Sequence, residues 1–254
     1  MNDNIAYVSY EIVQGVASIE FYHPKSNSFP TLQLEKLIET IGELGKNEEA
    51  KVIVLKSKGE QVFCAGASFD ELLTIEDFAT GKEFFMGFAN LIIAMRNCPK
   101  FIIGCIQGKV VGGGVGLVAA CDYALAQDNA AIRLSELSIG IGPFVIEPAI
   151  TRKIGITAFS ELTLNPKEWV SPEWCKEYGL YNQIFSTEEA LNSTTKTFSE
   201  QLSAYSSDAM RHLKSVFWEN AAHWDTIMPK RAAMSGELVL SEFTKETLNK
   251  FKSK

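Results

Sequence analysis

Histidine is scarce in this sequence: His23, His212 and His223 are the only three in 254 residues, and they stand too far apart to form a zinc motif. The five cysteines, at 64, 98, 105, 121 and 175, contain no C-x-x-C pair and lie mostly in apolar runs. They read as buried free thiols of a reducing compartment. The most apolar stretch, from Phe101 to Asp122, holds Lys109 and a cluster of glycines, so it reads as core and not as a membrane span. Basic residues are also in deficit: 24 Lys and Arg against 31 Asp and Glu give a formal net charge of -7. That balance argues against nucleic acid or an anionic membrane as the main partner, although a local cationic patch stays open. The opening MNDNIAYVSYEIV has neither the basic nor the apolar segment of a secretory signal, and the expected location is the cytoplasm.

What is present is an ordinary globular composition, 46% hydrophobic and 22% charged. Ile5 to Val13, the pair Gln14-Gly15, and the alternating Val16 to Phe21 predict a hairpin. Leu34, Leu37, Ile38, Ile41 and Leu44 keep helical spacing after the start signals Ser28 and Pro30. Lys51 to Leu55 and Phe101 to Ile106 read as strands buried on both faces. A helix begins near Ser68; Phe84, Phe88, Leu91, Ile92 and Met95 mark another within the stretch from Glu71 to Met95, and beyond residue 147 the pattern is mainly helical. Strands alternating with helices before that point predict an α/β domain.

Two segments, each after a buried strand, carry more specific information. The first is Phe63-Cys64-Ala65-Gly66-Ala67; the second is Gln107-Gly108-Lys109-Val110-Val111-Gly112-Gly113-Gly114, which runs into a helix. Together, in this order, they resemble the two blocks of the crotonase (enoyl-CoA hydratase/isomerase) superfamily, and the similarity covers nearly the whole chain. The resemblance implies a crotonase-type α/β spiral of ββα units with a helical C-terminal region. It implies a core over residues 1–195, a helical trimerisation region over 196–254, and assembly as a homotrimer or dimer of trimers. An acyl-CoA thioester is the implied substrate, with no metal and no further cofactor. The implied oxyanion hole consists of the backbone N–H groups of Ala65 and Gly113, with Ala67 and Gly112 beside the thioester. Two fixed donors aimed at the carbonyl oxygen stabilise the enolate, and one such donor is worth ~3–4 kcal/mol.

Hydratases of the superfamily use two glutamates, one to activate water and one to protonate carbon. The later one corresponds to Glu136, in an apolar setting that would raise its pKa. The earlier one is missing, because Gly116 occupies its position, and Phe144 stands where hydratases commonly carry a small glycine. One carboxylate suffices to shift a double bond, so isomerisation is favoured over hydration. Glu147, near a helix start, is either a dipole-stabilising residue or a rebuilt second acid for a branched or acidic enoyl-CoA. A catalytically weak CoA-binding module is the alternative from another class. For the CoA itself the resemblance points to Lys25 as a phosphate contact. It also points to Phe243, with the four lysines after it, as a helix covering the CoA of a neighbouring subunit. Phe85 and Phe88 are expected in the acyl pocket wall.

Overall fold

The computed structural model describes residues 5–252. β1 (Tyr7–Val13) and β2 (Val16–Tyr22) form the antiparallel hairpin, turned by Gln14 and Gly15 at φ 51° and 83°. Two consecutive left-handed residues match the right-handed twist of the strands they join. β3 (Val52–Ser57), β5 (Phe101–Ile106), β7 (Tyr123–Gln127) and β9 (Gln183–Phe185) extend β2 in parallel, in the order β1-β2-β3-β5-β7-β9. A smaller parallel sheet pairs β4 (Val62–Cys64), β6 (Lys109–Val111) and β8 (Ile132–Arg133). Three successive strand pairs, β3/β4, β5/β6 and β7/β8, thus each give one strand to either sheet. Helices α2 (Phe69–Leu72), α3 (Phe78–Asn97) and α4 (Gly113–Ala120) carry the chain from one pair to the next. This is the spiral of ββα units that the resemblance implies.

The periodicity of α1 (Thr31–Lys46) buries Leu34, Leu37, Ile41 and Leu44, as its spacing requires. The stretch from Glu71 to Met95 is two helices, as the start near Ser68 and the separate pattern from Phe84 to Met95 predict. Asp77 restarts the chain by accepting the Thr80 N–H at 2.9 Å, so α3 begins only at Phe78.

After β8 the chain continues through α5 (Glu147–Leu164), α6 (Pro172–Glu177), α7 (Glu188–Ser203), α8 (Ser207–Phe217), α9 (Trp224–Leu238) and α10 (Glu242–Lys252). The expected boundary at residue 195 falls inside α7, and the helices beyond it share the main core. Trp224, Met228 and Ala232 of α9 belong to the same buried cluster as Leu91, Ile92 and Met95 of α3. The two helices touch at glycines: a Cβ on Gly81 would lie 3.1 Å from the Gly236 Cα. A second tie is charged. Lys214 Nζ lies 2.7 Å from Asp122 Oδ2, with the side chains only 3% and 4% exposed. Asp122 also accepts the Trp218 indole N–H at 2.8 Å and the Ile102 backbone N–H at 2.8 Å. A buried charge pair survives when its remaining lone pairs are satisfied in this way.

All five cysteines are buried and unpaired. Among the described residues, no helix is long and apolar enough to cross a membrane, and no cluster of His, Cys, Asp and Glu could hold a metal ion. The first four residues of the N-terminal segment and Lys254 of the C-terminal lysines lie outside the described residues.

Candidate active site

The two glycine-bearing segments meet at the ends of β4 and β6. A Cβ on Gly66, whose φ is 86°, would lie 2.9 Å from the Val111 carbonyl oxygen and 3.3 Å from the Gly113 nitrogen. Gly112 turns the chain at φ 54° and ψ -124°, a conformation closed to residues with a Cβ, and its N–H donates to the Arg133 carbonyl at 2.9 Å. Gly113 then opens α4, and its N–H finds no acceptor among the described residues.

The partner amide differs from the one expected. The Ala65 N–H donates to the Ser26 carbonyl at 3.1 Å, and that bond removes it from any ligand. Two residues on, the backbone is held against Phe29: the Phe29 N–H donates to Gly66 O at 2.8 Å, and the Ser68 N–H to Phe29 O at 3.0 Å. In extended chain, successive N–H groups alternate sides, so the Ala67 N–H points away from Phe29. It has no acceptor among the described residues, and Ala67 lines the same cavity as Gly113. Ala67 and Gly113 are therefore the two open donors, and Ala65 is not one of them.

Glu136 begins the 3-10 turn Glu136–Ile139, which follows β8 and ends on left-handed Gly140. Its carboxylate lies over Gly112, where a Cβ would come 3.1 Å from Oε1. The residue as a whole is half-buried, but Oε2 is out of reach of solvent and without a hydrogen-bond partner. Burial pushes the carboxyl up to about 7, opposed only by its own backbone N–H. A carboxylate moved close to neutrality by desolvation is suited to give and take protons.

The cavity is about 190 Å³ and mainly apolar. Phe84, Phe85 and Phe88 of α3 form one wall, with Phe69 and Leu72 of α2 beside them, and the segment from Ile139 to Ile146 forms the other. Phe88 packs against Gly113, where a Cβ would lie 2.5 Å from its ring. Among the residues lining the cavity, Glu136 is the only ionisable one. The place of the missing glutamate is filled: a Cβ on Gly116 would lie 2.4 Å from Ile146 Cγ2, so Ile146 occupies the space a side chain would need. Phe144 also lines the cavity, with its ring folded onto Gly142.

Three sequence candidates stand elsewhere. Glu147 is the first residue of α5, but its carboxylate turns away from the cavity. Oε2 lies 2.7 Å from Arg231 and Oε1 accepts the Thr151 hydroxyl at 2.8 Å, on a separate groove between α5 and α9. Lys25 is exposed and ion-paired with Asp70, whose neighbour Phe69 stands at the cavity wall. Phe243 is 61% exposed and packs on Gly140 of its own chain, where a Cβ would meet its ring at 2.6 Å. Thr244 and Leu248 are buried, so α10 sits on the turn that carries Glu136 within its own chain. The sequence reading missed Ile146, for which no local signal exists, and Ser235, an α9 residue that reaches the cavity from the far end of the chain.

The enoyl-CoA hydratase/isomerase family model matches residues 11–254, and the chain belongs to that family. An enoyl-CoA hydratase of Alternaria alternata is 28% identical over 196 residues, which is 76% of this chain; the match spans 64% of that relative's length. The trans-2-decenoyl-[acyl-carrier-protein] isomerase of Streptococcus mutans is 22% identical over 258 residues, covering 97% of this chain and 95% of the relative. The crystal structure of an enoyl-CoA hydratase from Bacillus halodurans has the same fold, with a TM-score of 0.90 at 21% identity over 96% of this chain and 99% of that one.

Proposed function

We propose that this chain isomerises the double bond of an enoyl thioester. Glu136, as carboxylate, takes a proton from C2 of a 3-enoyl thioester. The electron pair moves through C2–C3 while the carbonyl oxygen gains negative charge, which the Ala67 and Gly113 amides hold. The dienolate collapses as Glu136 returns a proton to C4, leaving a 2-enoyl thioester. Atoms balance with one carboxylate and no water.

The observation that supports this reading best is the pair Gly116 and Ile146. Hydration needs a second group to activate water, and an isoleucine side chain fills the space where such a group would stand. The apolar wall at Phe144 and Ile146 disfavours a bound water, which needs two or more polar partners. The hydratase alternative would have relied on Glu147, which is engaged with Arg231 and Thr151 outside the cavity.

The proposal extends to the thioester's handle. Lys25, paired with Asp70 whose neighbour Phe69 lines the cavity, is the candidate for a CoA phosphate, and Phe243, packed on Gly140, is the candidate for covering the CoA. A carrier-linked thioester, as in the name of the Streptococcus relative, competes with free CoA. Assembly as a trimer or dimer of trimers belongs to the same proposal, and sedimentation velocity tests it.

Trans-3-enoyl-CoA and trans-2-enoyl-CoA of several lengths, incubated with the protein and followed by mass, test the chemistry. The expected result is 3-enoyl to 2-enoyl conversion, lost in Glu136→Gln. Rapid appearance of a 3-hydroxyacyl product would overturn the proposal. Tight CoA binding with no turnover would favour a binding module.

A further inference from the structure

Resting on the thioester reading above, we infer that the cavity holds a second polar subsite at Ser235, made for an oxygen function on the distal part of the acyl chain. Apart from Glu136, the only polar side chains lining the cavity are Ser135, which adjoins Glu136 in sequence, and Ser235. Ser235 comes from α9, and its residue is only 1% exposed.

A buried serine in a helix normally spends its hydroxyl on the carbonyl one turn back. Ser199 does so toward Thr195 O at 2.8 Å, and Thr40 toward Lys36 O at 2.8 Å. Ser235 makes no such bond to Arg231, and no hydrogen bond of its hydroxyl is found among the described residues, although Ser235 lines the cavity. In a cavity lined also by Phe84, Phe85 and Ile141, a hydroxyl without a partner is unfavourable, and alanine would fill the position without that cost.

The position along the cavity identifies the part of the ligand concerned. Phe88 packs on Gly113, at the thioester end, while Gly81, seven residues earlier on α3, packs on Gly236. Seven residues of helix span ~10 Å. Ser235, next to Gly236, therefore lies well beyond the carbons that exchange protons with Glu136. The group it recognises is a hydroxyl or carbonyl far along the chain, since a hydroxyl both donates and accepts.

Isothermal titration of the full chain with octanoyl-CoA and decanoyl-CoA, each against its ω-hydroxy and ω-oxo counterpart, tests the subsite. These saturated ligands have no double bond to move, so the reading does not depend on turnover. Wild type is expected to bind an oxygenated ligand about tenfold more tightly than its plain partner, and Ser235→Ala to bring the pair within about twofold. Equal or weaker binding of every oxygenated ligand by wild type overturns the inference and leaves the thioester reading intact. So does a preference that survives in Ser235→Ala. No binding of any of these CoA thioesters overturns the free-CoA form of the thioester reading and this inference with it.

Discussion

Replacing Glu136 by glutamine should stabilise the protein, and by more at high pH than at low. Burial moves the carboxyl from 4.5 to about 7, because the charged form has lost its water and gained no partner at Oε2. The native state thus holds the proton more tightly than the unfolded chain, which retains the ordinary value. Stability from this group is fully present below 4.5 and is lost as pH rises through about 7, with nothing further to lose above that. At ~1.4 kcal/mol per pKa unit the full effect is ~3 kcal/mol, an upper figure because water entering the cavity would solvate the carboxylate. Between about pH 5.5 and about pH 8.5 the share lost is ~2 kcal/mol. Urea denaturation of wild type and Glu136→Gln at both pH values isolates it, since every other titrating group cancels in the difference. The gap between variant and wild type should widen by ~2 kcal/mol at the higher pH. A gap that does not change with pH would mean a solvated carboxylate, and the argument for a tuned acid/base would fail. The same displacement predicts that kcat/KM for isomerisation rises with pH to a plateau, with an apparent pKa near 7.

Restoring the missing acid by Gly116→Glu alone should cost ~1–3 kcal/mol through overpacking against Ile146 and produce no hydration. Thermal melts and a 3-hydroxyacyl assay check this, and Gly116→Glu combined with Ile146→Gly should relieve the clash and permit measurable hydration. Gly113→Ala drives a methyl into the Phe88 ring and moves the amide off its line, so kcat should fall about a hundredfold with a smaller change in KM. Asp122→Ala strands Lys214 in the core and should cost ~3–5 kcal/mol in urea denaturation, much of it recovered when Lys214→Met is added.

The spiral was legible because its strands carry unmistakable patterns: Val52 to Leu55 and Phe101 to Ile106 are apolar on both faces. Glu136 was legible as well, since its apolar neighbours forecast the burial that raises its pKa. What sequence could not supply were choices made by distant partners. Ala65 and Ala67 are equivalent in a local reading. Ser26, nearly forty residues upstream, occupies one amide and leaves the other open. Glu147 was correctly placed at a helix start, but which way its carboxylate faces depends on Arg231, on a helix more than eighty residues away. The closing helix was visible in Phe243 and its lysines, yet its seat on Gly140 of the same chain is a tertiary fact. Ile146 and Ser235 gave no signal, because an isoleucine facing a glycine and a serine in an amphipathic helix are both commonplace until packing brings them to the cavity.

The measurement closest to the central claim is turnover of a 3-enoyl-CoA deuterated at C2, in water enriched in oxygen-18. A single buried carboxylate that carries one proton from C2 to C4 should deliver part of the deuterium to C4 of the 2-enoyl product, with no oxygen-18 in any acyl product. A 3-hydroxyacyl product carrying oxygen-18 would contradict the account, because it would require a water and a second acid in a cavity lined by Glu136 alone among ionisable residues.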